Sequence, residues 1–197
     1  MNERPEIAEK RRPDDRRVRK TKTALKKALT TLLLEKSINS ISVKELTDMA
    51  DINRGTFYLH YKDVYDLLGQ SEDELMEGLK TMVNSFSAES VNTDPRRLFK
   101  ELYTLCKRDA DIVRILISEN GDLKFLNSMK ELLKEKCLHD WSINLRQLNS
   151  EHFDAHYAFI VGGCLNLLQY WFASGMKESP EELADITGTF INHAGKA

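Results

Sequence analysis

The chain has 197 residues, of which 41% are hydrophobic and 30% charged, with a formal net charge of -2; that is enough apolar material for a folded core without cross-links. Its three cysteines, Cys106, Cys137 and Cys164, are odd in number, far apart and form no C-x-x-C pair, which excludes a disulfide scaffold and points to a reducing compartment. No apolar run approaches the ~18–20 residues that span a bilayer, and the charged N-terminus lacks the apolar core of a signal peptide, so a cytoplasmic protein with no membrane association is expected.

The small net charge hides an asymmetry. Residues 1–62 hold 15 Lys/Arg against 9 Asp/Glu, and the remainder holds 14 against 22. A basic end on an acidic body suits a nucleic-acid-binding module joined to a larger domain, although a charge run alone is more often a solvated face. Residues 1–18 are mostly charged, contain two prolines and have no apolar period, so they read as a disordered arm. Arg11, Arg12, Arg16 and Arg17 in that arm could reach phosphates or a minor groove, or simply keep the tail solvated. From about Arg19 to Lys36 the pattern is helical, with Ala24, Ala28 and Leu32 in one row and Leu25, Leu29 and Leu33 in the next.

The most informative stretch runs from Ser42 to Tyr61. Ser42 is a good N-cap, and Glu45 three residues later completes a capping box. Val43, Leu46, Met49 and Ala50 give the first short helix one apolar face. Asp51 stands where the chain must turn and tolerates a left-handed conformation. Asn53 caps a second helix from Arg54 to Tyr61. Two short helices around a tight turn are the layout of a helix-turn-helix, whose second helix enters the DNA major groove. Phe57 and Leu59 serve the core in this reading, and Tyr61 partly so. Arg54, Thr56, Tyr58 and His60 supply donors and acceptors, and Gly55 lets another backbone approach. Arg54 is the first choice for a base contact, since Arg reads guanine edges, while Thr and Tyr hydroxyls bond phosphates. Ser42, Val43, Lys44 and Asn53 at the helix starts, with Tyr61 and Lys62, complete the expected DNA-facing set. A polar surface helix is the bland alternative, weakened by caps, turn and second helix occurring in the right order.

Three helices over residues 19–64 then form a small domain, and residues 65–197 form a helical body. Asp63 caps a helix from about Val64 toward Ser85, with a bend or frayed turn expected near Gly69. Ser85–Thr93 reads as a loop, and Asp94-Pro95 opens the next helix. Further helices are expected over Asp109–Glu119 and from Leu123 to about Leu145, separated by the turn signal Asn120-Gly121-Asp122. Glu151–Ser174 is apolar around most of its circumference, with Gly162-Gly163 in its middle and Gly175 as its cap. Ser179-Pro180-Glu181-Glu182 starts the last helix with a capping box. The fold class is therefore all-α, with about nine helices. A helix apolar on most sides needs a partner beyond its own domain, so a homodimer is expected through Ile160, Gly162, Gly163, Leu167 and Phe190; a deeply buried monomer core is the alternative.

The words Arg54-Gly55-Thr56-Phe57-Tyr58, Tyr58-x-His60-Tyr61 and Asp63 leading into Asp66-Leu67-Leu68 resemble the DNA-binding domain of the TetR/AcrR family of bacterial transcriptional regulators. The resemblance covers roughly residues 19–68. The family usually has Gly in the turn, where this chain has Asp51, and a phosphate-contacting Lys where this chain has Val64, with Lys62 as the nearest substitute. Further on, Ser118-Glu119-Asn120-Gly121-Asp122, Gly162-Gly163 and Trp171 loosely resemble a subgroup that includes dihydroxyacetone-kinase operon regulators. The resemblance implies a DNA-binding domain over 19–64, a regulatory and dimerisation domain over 65–197, and a repressor released from double-stranded DNA by an unknown small-molecule effector. It implies a pocket in the body, for which Phe99, Tyr103, Phe125, Met129, Trp141, Tyr157 and Trp171 are candidates, although each such residue is more often plain core than pocket lining. Two other readings stay open: an activator or protein-co-regulated DNA binder, and an all-α interaction module that has lost DNA binding. His152 and His156 share a helix face without the Glu of H-E-x-x-H; no metal, cofactor or catalytic constellation is expected.

Overall fold

The computed structural model describes residues 13–118, 122–137 and 153–194. These form ten α-helices and one short 3-10 turn, without a strand among the described residues. The chain divides into two compact units between Gly69 and Gln70.

The first unit contains α1 (Pro13–Glu35), the 3-10 turn Ile38–Ser40, α2 (Val43–Ala50), α3 (Arg54–Tyr58) and the start of α4 (Val64–Asn84). Leu25, Ala28, Leu29 and Leu32 of α1 meet Ile41, Leu46, Phe57, Tyr61, Val64 and Leu67 in one buried cluster. Helix α1 begins at Pro13, so residues 13–18 of the expected disordered arm are helical. The physical reason is local: Pro is pre-organised for a first helical position. Residues 1–12, including Arg11 and Arg12, lie outside the described residues.

Ser42 Oγ accepts the Glu45 N–H at 3.2 Å, as a cap should. The other half of the expected box is not made, because the Glu45 carboxylate pairs with Lys36 instead. Asp51 adopts the left-handed conformation at φ 53°, ψ 43°, and the next N–H, of Ile52, returns to Thr47 O at 3.0 Å. Asn53 Oδ1 accepts the Gly55 N–H at 2.7 Å. At the start of α4, Asp63 Oδ1 accepts from Asp66 N, and Asp66 Oδ2 accepts from Lys62 N, both at 2.8 Å. Helix α4 then runs through Gly69 without the frayed turn expected there. Its early residues Val64 and Leu67 belong to the first core, and Leu75, Leu79 and Val83 to the second.

The second unit comprises the rest of α4 with α5 (Ala88–Thr93), α6 (Pro95–Arg108), α7 (Ala110–Leu116), α8 (Leu123–Glu135), α9 (Phe153–Ala173) and α10 (Pro180–Ala194). The stretch read as a loop contains α5, because Ser87 Oγ caps the Ser90 N–H at 3.2 Å and Val91 is buried. Helices α6 and α10 lie against each other. Thr187 donates its hydroxyl to Leu183 O at 2.8 Å, so Tyr103 is the donor in its 2.8 Å bond to Thr187. Glycine is required at Gly188, where a Cβ would stand 2.7 Å from Arg96 Cγ. At the start of α10 both bonds of the capping box form, Ser179 N to Glu182 Oε2 at 2.7 Å and Glu182 N to Ser179 Oγ at 3.2 Å.

Glu72 on α4 sits in an unfavourable place. Burial first, and then the Asp122 and Asp73 carboxylates, push its carboxyl up to about 7, and its Oε1 is buried with no hydrogen-bond partner among the described residues. The folded-state pKa lies above the unfolded one, so this group's contribution is fully present below about pH 4.3 and is lost as pH rises through about 7. Glu72→Gln is therefore expected to raise the thermal midpoint at about pH 8 and to leave it nearly unchanged at about pH 4; an equal gain at both would contradict this. At the turn, Asp51→Gly should stabilise the protein by a few tenths to about 1 kcal/mol and Asp51→Val should destabilise it by about 1–2 kcal/mol in urea unfolding.

Candidate functional site

The second helix of the helix-turn-helix is positioned by its aromatic anchors. Phe57 is fully buried and Tyr61, one turn later, nearly so, their ring centroids 5.7 Å apart. Tyr61 thus belongs to the core rather than to the DNA-facing set in which it was expected. Leu59, expected in the core, is 79% exposed. The helix turns by about 100° per residue, which carries Leu59 to the outward side once Phe57 points inward.

That outward side presents Arg54, Gly55, Tyr58 and Leu59, all exposed. Arg54 Nη2 donates to the Tyr58 hydroxyl at 3.1 Å, and its guanidinium lies 5.6 Å from the ring centroid. The pair holds the cation over the helix face. Gly55 lies in the middle of this side, where a Cβ would come within 3.1 Å of Asn53 Oδ1 and crowd the cap. Thr56 and His60 are half-buried flanks of the same surface, and Lys62 is exposed just beyond it. On α2, Ser42 and Lys44 are exposed at the helix start. Val43 instead packs against the core, so its side chain does not face outward as expected. Val64 is also core, at 4% exposure. The surface offers cations, hydroxyls and amide N–H groups on rigid backbone, the groups that bond phosphates and base edges.

The second unit holds a cavity of about 870 Å³, within the range of ligand sites. Phe99, Tyr103, Phe125, Met129 and Tyr157 line it, as expected. Trp171 does not. It is fully buried against Tyr103, with ring centroids 5.8 Å apart, and donates to Glu178 O at 3.0 Å. Trp141 and His152 lie outside the described residues. Sequence reasoning missed that Cys106, Cys137, Cys164 and His156 also line the cavity. Burial raises the Cys106 thiol to about 12 and the Cys137 and Cys164 thiols to about 11, so they stay protonated and unreactive. Burial likewise raises the Tyr103 and Tyr157 phenols. Polar lining gathers around Arg96, which is held by Asp94 at 2.8 Å and Asp185 at 3.7 Å. Among the described residues no three His, Cys, Asp or Glu side chains gather as a metal site, and no helix is long and apolar enough to cross a membrane.

Of the residues expected at a dimer interface, Phe190 and Gly163 are exposed and Gly162 is half-buried; nothing lies within 4 Å of a Cβ built on either glycine. Ile160 lines the cavity and Leu167 packs on the core, both half-buried. Phe159, Tyr170 and Ile186 are exposed and were not foreseen.

Residues 93–193, just over half of the chain, match the TetR_C_8 family, described as a transcriptional regulator C-terminal region. The HTH-type transcriptional regulator YxbF of Bacillus subtilis (strain 168) is 31% identical over 170 residues, covering 81% of this chain and 42% of that protein. The chain thus spans about two-fifths of the length of this curated relative. Among solved structures, the TetR transcriptional regulator from Streptococcus agalactiae 2603V superposes with a TM-score of 0.55 at 22% identity, covering 90% of this chain and 97% of that one. FadR from Bacillus subtilis in complex with stearoyl-CoA superposes with a TM-score of 0.51 at 14% identity, covering 84% and 94%. These two likenesses concern the fold. The match across residues 93–193 decides the family: the chain belongs to the TetR family of HTH-type transcriptional regulators.

Proposed function

We propose that this regulator is a cytoplasmic repressor that binds a pseudo-palindromic operator as a homodimer and is released by a small, largely apolar effector. The observation that carries the reading is the presence in one chain of an outward, cation-bearing recognition helix and an apolar cavity of about 870 Å³. Arg54 is the base reader, and Lys44 and Lys62 hold phosphates, with Thr56, Tyr58 and His60 as flanking contacts. Phe159 and Gly163, four residues apart, and Tyr170, seven residues further, recur along α9, and Ile186 and Phe190 lie four apart on α10. These exposed residues support a two-fold interface, and a two-fold protein reads half-sites about 34–36 Å, or a multiple, apart. The cavity favours a small molecule over a protein co-regulator. FadR of the same fold holds stearoyl-CoA, and a long apolar ligand with a polar group toward Arg96 suits the lining here. The exposed Arg54, Lys44 and Lys62 argue against an interaction module that has lost DNA.

The test is selection of bound sequences from random duplex DNA at two salt concentrations. A recovered pseudo-palindrome supports the reading, and only salt-sensitive, sequence-blind binding would overturn it. On the recovered sequence, Arg54→Ala is expected to lose discrimination against random DNA. Lys62→Ala should instead weaken all sequences alike and lower the salt slope by about 1 per half-site. Equal loss on specific and random DNA for Arg54→Ala would remove its assignment.

A further inference from the structure

Leu59 stands out among the side chains of the first unit. At 79% it is the most exposed of the large hydrophobic residues described, yet it lies between two residues that the fold holds tightly, Phe57 and Tyr61. Its own backbone is helical, at φ -71°, ψ -20°, with its N–H on Thr56 O at 3.3 Å. The position is therefore fixed, and the isobutyl group projects outward from it. On the helical circumference the outward arc runs Arg54, Tyr58, Gly55, Leu59. Three of the four carry polar or no side chains. Leu59 is the one wholly aliphatic side chain of the four, at the opposite edge of the arc from Arg54 and with Gly55 between them; the exposed Tyr58 ring carries a hydroxyl and lies beside Arg54. An element in the major groove meets one apolar feature on the base edges, the C5-methyl group of thymine.

We propose that Leu59 is a specificity-determining residue that reads a thymine methyl group in each operator half-site. This inference rests on the operator-binding reading above. Gly55, which has no side chain, allows the groove edge to come close enough for Leu59 to reach the methyl, while Arg54 reads a different base across the arc. Leu59 thereby adds discrimination without adding charge, so its loss leaves the salt dependence unchanged.

The experiment uses the full chain and the duplex recovered by the selection, with each thymine replaced in turn by deoxyuridine, which removes the methyl and nothing else. Wild type is expected to lose about fourfold in affinity per half-site at one thymine, the worth of one buried methyl-sized group. Leu59→Ala should bind the thymine duplex as weakly as wild type binds the deoxyuridine duplex, and should no longer distinguish the two. Its salt slope should match that of wild type. A recovered operator on which wild type binds thymine and deoxyuridine equally at every position overturns the Leu59 assignment alone. Retained discrimination by Leu59→Ala overturns it too. Recovery of no preferred sequence would overturn the operator reading itself, and the Leu59 assignment with it.

Discussion

Burial of Phe57 is the constraint on which the reading surface depends. Helix α3 is five residues long, far below the length at which an isolated helix is stable in water. It persists because Asn53 caps its start and because Phe57 and Tyr61, one turn apart, fill the same core. With those two rings inward, the helical period turns Gly55 and Leu59 outward, and Arg54 and Tyr58 are exposed beside them. A binding surface gains its precision from the packing behind it, and here the packing is two aromatic rings set against α1 and α2.

The same constraint explains which features were legible in the sequence. Caps and turns are local, and Ser42, Asn53, Asp63, Asp94 and Ser179 all cap as their residue types dictate. Asp51 takes the left-handed turn for the same reason. What failed was composition used in place of geometry. Leu59 is apolar, but it lies two residues from Phe57, nearly opposite on the helix. Tyr61 carries a hydroxyl, but it lies four residues from Phe57 and so on the buried side. Glu45 was matched to its nearest partner in sequence, whereas Lys36, nine residues earlier, takes the carboxylate once α1 and α2 are packed. Non-local competition of that kind leaves no trace in a local pattern.

Helix α9 shows a second limit. It is apolar on most sides, so the sequence has no amphipathic period to divide its faces. In the structure Phe159, Ile160, Val161, Cys164, Leu165 and Leu168 line the cavity, Phe159 being largely exposed as well, while Tyr170 is exposed away from it. One apolar helix thus serves two different surfaces, and no amphipathic period in the sequence tells them apart. The three cysteines make the same point. They are far apart in the chain, and only the packing of α6, α9 and the segment after α8 brings them to one cavity.

Val64, where the family usually places a phosphate-contacting Lys, bears on whether this chain still grips DNA. Its side chain is buried beside Tyr61 and Leu67, so it strengthens the core that orients α3 rather than leaving a gap on the surface. A lysine there would have to carry its stem out of that core to keep the ammonium hydrated. The cation one would miss lies two residues earlier: Lys62 is exposed, and its N–H is fixed on Asp66 Oδ2 at 2.8 Å. Phosphate contacts contribute a sequence-independent affinity that depends on how many cations reach the backbone, not on one particular residue. Discrimination comes from base edges, and the arc from Arg54 to Leu59 proposed to meet them is held in place by the core that Val64 completes. The substitution therefore moves one charge and strengthens the support of the exposed arc of α3.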